Sequence, residues 1–170
     1  MLLSRLRGAT PFVAALLLTS SLHAGERLNV PQLVGRSTAV ALVEVTFGKG
    51  KHPDSVTLVE TLQAPASGEV KPEAAWLGLC LPSKQQLKAW VKSHPQFSAR
   101  PLWKSAVKGT GYRAVVYLWD KHGPLKPHCE TEAMLMEHTS LSPGFEAYQA
   151  QVRDELKKKT APATPDAGTP

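Results

Sequence analysis

The chain has 170 residues, with 20 basic against 14 acidic side chains, 42% hydrophobic residues and two cysteines. That length and composition fit one domain with its own core, and no internal repeat is present. The basic excess is mild and lacks a basic stripe with interleaved aromatics, so nucleic acid is not the expected partner.

The amino-terminal segment has the order of a removable secretory signal. Met1–Arg7 carries Arg5 and Arg7 and no acid; Pro11–Leu18 is an apolar run; small polar residues and Leu22-His23-Ala24 follow. The run of eight, residues 11–18, falls well short of the roughly 18 residues of a membrane span. Cleavage is expected after Ala24, leaving Gly25 as the mature amino terminus. No cysteine stands there to take a lipid, and no second apolar stretch is long enough to span. The expected product is a periplasmic or secreted protein without a transmembrane span. Its 146 residues (170 less 24) carry 18 basic and 14 acidic side chains, a net charge of +4. In an oxidising compartment the single pair Cys80 and Cys129 is expected to form a disulfide, with free thiols or metal ligation as the alternatives.

Residues 25–30 read as a lead-in, and Pro31–Ser37 as one helical turn. In Ala39–Phe47 every odd position is apolar, while the even positions pass from Val40 and Leu42 to Glu44 and Thr46. That alternation predicts a strand with one buried face and one that emerges into water. Gly48–Ser55 is a polar turn, and Val56–Leu62 reads as a second strand, making a long-looped hairpin. Trp76–Leu81 is a short apolar run expected to be a third strand that buries Cys80. Ser83 then offers a helix cap, Gln86 completes a capping box, and Leu87, Trp90 and Val91 share one face before Pro95 ends the helix.

Beyond an irregular stretch, Tyr112–Trp119 is apolar on both faces and suits a central strand. Asp120–Gly123 is a turn, and Met134–Met136 a short last strand. In the final helix Ser142 is expected to cap and Pro143 to open the first turn. Phe145, Tyr148, Val152 and Leu156 form its apolar stripe. Asp154 and Glu155 precede Lys158 and Lys159 by four residues, and Lys157, Lys158 and Lys159 lie where the helix dipole favours cations. Thr160–Pro170 has no apolar period and several prolines, so a disordered tail is expected over 160–170.

These elements predict an α+β domain over residues 25–159. Its expected form is a small, partly open, five-stranded β-barrel of the oligonucleotide/oligosaccharide-binding type, with one inserted helix and a C-terminal helix. Leu33-Val34 with Ser37, the strand Val40–Val45, and Val56-Thr-Leu-Val-Glu-Thr-Leu62 resemble small exported bacterial proteins with a barrel similar to the netrin and metalloproteinase-inhibitor modules. The resemblance covers Leu33–Leu62 and, more loosely, Tyr112–Trp119. It implies a barrel scaffold with a binding role. Gly25 follows the cleavage site where such inhibitors begin with cysteine, so their way of clamping a catalytic zinc is not implied.

No constellation of residues carries an obvious chemistry. Gly48-Lys-Gly-Lys-His52 lacks the spacing and the hydroxyl of a phosphate loop. Cys80, between Leu79 and Leu81, sits in a setting that raises a thiol's pKa, and no nucleophile elbow or paired-carboxylate signature is present. His122, His128 and His138 surround Cys129, but their spacing matches no ligand pattern. Neighbours in an extended segment, such as His128 and Cys129, point apart. These histidines are read as surface residues. Trp76, Trp90, Trp103, Tyr112, Tyr117 and Trp119 are read as core, with Trp103 the best exposed contact.

The expected function is a non-enzymatic binding or interaction module of the cell envelope or extracellular space, with no cofactor or bound metal. Its partner is an unknown protein or envelope ligand. The rival reading is a periplasmic copper- or zinc-binding protein using the His122–His138 region.

Overall fold

A computed structural model describes residues 28–48, 54–66, 68–77, 80–95, 111–120, 125–128 and 137–161. Helix α1 (Val30–Arg36) leads into strand β1 (Ala39–Thr46), which turns back as β2 (Ser55–Gln63). A 3-10 turn at Ala74–Trp76 precedes helix α2 (Lys84–Ser93). Strand β3 (Gly111–Trp119), a two-residue strand β4 (Lys126–Pro127) and helix α3 (Phe145–Thr160) complete the order. The strands form an antiparallel sheet in the order β2-β1-β3-β4, an α+β fold whose two long central strands are β1 and β3.

Both faces of this sheet are covered, which explains why β1 and β3 are apolar on both sides. On one face the odd residues of β1 pack with Tyr112, Ala114, Val116 and Leu118 beneath Trp76, Leu81 and Leu87. On the other, Val40, Leu42, Val115 and Tyr117 lie beneath Leu33 and Val34 of α1 and Phe145, Val152 and Leu156 of α3. The even face of β1 emerges into water at Glu44 and Thr46, as its patterning requires.

Local signals set the helix ends. Ser83 accepts from the Gln86 amide and Gln86 Oε1 from the Ser83 amide, closing the expected capping box of α2. The Asp54 carboxylate adds a bond from the Lys84 amide at 2.9 Å. Helix α1 has a capping box too, from Asn29 and Gln32. Its far end is tied to two other elements. Lys159 of α3 donates to the carbonyls of Val34 and Ser37 at 2.9 and 3.0 Å, and Gln63 of β2 donates to those of Ser37 and Thr38.

The sheet departs from the expected barrel. Among the described residues it is four-stranded and open: β2 and β4 lie at opposite edges and do not pair, whereas a barrel needs its end strands to meet. β4 is only two residues long, and one of them is a proline, which has no amide to donate. The run expected as a third strand is a turn instead. The amides of Cys80 and Leu81 both donate to the Trp76 carbonyl, folding the chain back on itself. A short apolar run suits a buried turn as well as a strand. The cap of α3 also differs: Gly144 holds the N-cap position, while Ser142 closes a preceding turn by accepting from the Gly144 and Phe145 amides. The segments proposed for the signal peptide, the last strand at 134–136 and the tail from residue 162 onward lie outside the described residues, as does Cys129.

Candidate functional site

At the outer edge of β3 several polar side chains converge beside a cleft. In an antiparallel ladder alternate residues direct their amide and carbonyl to the same side. Leu118 faces β1, because its carbonyl accepts from Thr38. Arg113, Val115 and Tyr117 therefore face outward. That outer edge is held by two separate pieces of chain. The His128 amide donates to the Tyr117 carbonyl at 2.7 Å, in line with β4. Further down, the Val115 amide donates to the His138 carbonyl at 2.9 Å and the Ser140 amide to the Arg113 carbonyl at 2.8 Å, around an isolated bridge between Ala114 and Thr139. Both pieces run antiparallel to β3, so residues 126–128 and 138–140 together line its outer edge as a split strand.

A small cleft opens at the split. Cys80, Leu81, Ala114, Val115, Val116, Tyr117, His128, His138 and Thr139 line it. About 20 Å³ is free inside it, room for about one water.

Register decides which side chains share a face here. Pro127 pairs with Leu118, and Thr139 with Ala114, so these four belong to the face of α2. His128 and His138, one residue displaced from those pairs, fall on the α3 face with Tyr117 and Trp119. The ring contacts agree. The His128 imidazole stacks on Trp119 with centroids 3.7 Å apart and planes 9° from parallel. His138 stacks on Tyr148 at 4.7 Å and meets the edge of Tyr117 at 5.5 Å. The Tyr117 and Tyr148 hydroxyls are 2.6 Å apart.

Burial pushes both phenols well above the ordinary tyrosine range. For Tyr148 the neighbouring Tyr117 and the Glu137 carboxylate add to that push, whereas the hydroxyl contact with Tyr148 partly offsets it for Tyr117. Both phenols are therefore neutral at physiological pH, and the site offers two imidazoles against a neutral aromatic wall. Such a set can hold an ion or a water. Among the described residues no three His, Cys, Asp or Glu side chains group as a metal centre would.

The residues singled out in the sequence are distributed as follows. Trp76, Tyr112 and Tyr117 are buried in the core, while Trp90 packs partly buried against it and stacks on His94. Trp119 is half-buried, and its indole donates to Ser37 Oγ at 3.3 Å. His128 and His138 come together, although ten positions separate them; His122 and Trp103 lie outside the described residues. Cys80 is buried, with its Sγ 3.7 Å from the carbonyl oxygen of Pro127, two residues before Cys129. Tyr148 was legible only as one position of an apolar stripe; its hydroxyl was the sole hint of a polar contact. Comparison with known protein families, with curated proteins and with solved structures gave no match.

Proposed function

We propose that this is an exported, non-enzymatic interaction module of the cell envelope or extracellular space, periplasmic or secreted, with Gly25 as its mature amino terminus. The observation that carries the binding role is the edge position of β2 among the described strands. β2 is the outermost long strand, and Leu58 and Val59 on it are 41% and 42% exposed, the exposed large hydrophobics of the described residues. A sheet edge with apolar side chains is a template for adding a partner's strand, through main-chain hydrogen bonds and side-chain contacts. The strand pattern resembling the netrin and metalloproteinase-inhibitor modules agrees with a scaffold of this kind. No described helix is long and apolar enough to cross a membrane.

A disulfide between Cys80 and Cys129 belongs to the same proposal. Pro127 places the chain beside Cys80, and Cys129 follows two residues later. The bridge would fasten the turn after Trp76 to the chain just beyond β4.

Cross-linking in the native envelope tests the interaction. The parent chain is expected to capture one defined protein, and a Leu58→Lys, Val59→Lys double variant with an unchanged circular dichroism spectrum is expected to lose it. Identical cross-linking of parent and variant would overturn the edge as the contact surface. Sequencing of the recovered protein tests export, and an intact Met1 would refute it.

A further inference from the structure

We propose that Lys84, Lys88 and Lys92 of α2 form a cationic row that binds an acidic polysaccharide. The helix carries these three lysines and no acidic residue. Residues four apart share a helix face, each step advancing about 6 Å along the axis. Leu87 is buried and Trp90 and Val91 pack partly buried beside it, so this apolar stripe fixes the helix on the sheet. At about 100° per residue the lysines fall on one flank of the stripe and Trp90 on the other. Lys88 and Lys92 are exposed, and the Lys84 ammonium lies 5.9 Å from the centre of the Phe47 ring.

This arrangement works against the helix that carries it. Like charges four apart repel, and Lys84 opens the helix at the end where the dipole disfavours a cation. The Asp54 carboxylate meets Lys84 there through the backbone amide, as a cap. Among the described residues no carboxylate pairs with any of the three ammonium groups, whereas Arg113, Arg153, Lys157 and Lys158 each have one. An unneutralised row on a packed helix is placed for an anionic partner. Its shape selects among such partners. The row is narrow and about 12 Å long, so it follows a linear chain of charges. Recognition of a lipid surface uses clusters of about four to eight basic residues. No aromatic lies between the lysines to stack on a base, and Trp90 stacks on His94 instead. In the extracellular location proposed above, the linear polyanions to expect are acidic polysaccharides. That choice of partner rests on the export reading; the row itself does not, and the β2 edge takes no part in it.

The test measures binding of the full chain to immobilised heparin and to immobilised alginate, a sulfated and a carboxylated polysaccharide, over a range of salt. Binding that weakens steeply as salt rises is expected on both, because contact releases counterions. Lys84→Gln, Lys88→Gln and Lys92→Gln should each flatten the logarithmic salt slope by about one, the effect of losing one charge contact. The three together should weaken binding about tenfold or more at low salt. Lys84→Arg, Lys88→Arg and Lys92→Arg combined should keep both affinity and slope, which holds the test decisive if the glutamine variant fails to fold. Lys157→Gln with Lys158→Gln, on α3, should leave binding unchanged. Equal binding by the parent and the triple glutamine variant overturns the proposal, as does an equal loss in the α3 control. Tighter binding to phosphatidylglycerol vesicles or to single-stranded DNA than to either polysaccharide overturns the choice of partner. Recovery of the protein with Met1 intact would refute export separately, leaving the measured contact in place.

Discussion

Of the three tyrosines of the chain, Tyr112 and Tyr117 are buried and Tyr148 is half-buried on the core face of α3. Tyr112 donates to the Pro82 carbonyl at 2.8 Å, and burial together with the nearby Asp54 carboxylate raises its pKa; burial likewise raises those of Tyr117 and Tyr148. The consequence for stability has a definite sign. In the unfolded chain the phenols ionise near the ordinary value of about 10, while the folded protein keeps them protonated. Stability from this source is therefore complete below about pH 10 and falls as pH rises above it. An alkaline titration should show no phenolate absorbance until the circular dichroism signal is lost, and then all three together. A phenolate band growing near pH 10 with the fold intact would contradict the burial of these side chains. Gly111 is the other demanding residue. Its φ of +135° opens β3, and a Cβ there would run into the Val45 carbonyl oxygen across the ladder. Gly111→Ala is expected to cost about 2 kcal/mol or more, read as a lowered denaturation midpoint.

The elements of this protein hold one another through their ends as much as through their faces. In sequence the lysines at 157–159 read as partners of their own helix. In the structure the ion pairs within α3 are three residues apart, Asp154 with Lys157 and Glu155 with Lys158, in place of the expected pairs four apart. Lys159 instead leaves its helix to cap α1, reaching two carbonyls there and Gln63 Oε1 on β2. Three elements meet at one ammonium group. Lys159→Met should therefore lower stability by about 1 kcal/mol, a few degrees of melting temperature, whereas Lys157→Met should be neutral within error. Arg153 joins α3 to β2 through both oxygens of Glu60 at 2.8 and 2.6 Å, which holds the Glu60 carboxyl below its usual range. Both side chains are exposed by more than 40%, so this fork adds little above the carboxyl's titration and loses that little in acid. Within elements, much was readable from the chain alone. The α2 capping box, the alternation in β1 and the stripe of α3 are local signals, set by neighbours no more than a few residues away.

At the scale of the whole molecule, the two long central strands gather the chain into a layered body with helices on both sides. The proposed bridge from Cys80 to Cys129 would act at this scale, since it closes a loop of about fifty residues, worth about 4 kcal/mol in the chain-entropy view. Thiol titration of denatured, unreduced protein should find no free sulfhydryl, and reduction should lower the melting temperature; two titratable thiols would remove the bridge from the account. What the sequence determined by itself was the set of long elements: the hairpin of β1 and β2, the central character of β3, helices α2 and α3 and the α+β class. Periodicity and caps depend on contacts one to four residues apart, and those are written in the chain. Only the tertiary structure decided how the sheet ends, that Trp76–Leu81 turns back, that Lys159 serves another helix and that His128 and His138 share a face. Each of these depends on register against a strand distant in sequence, where a shift of one residue moves every side chain to the opposite face.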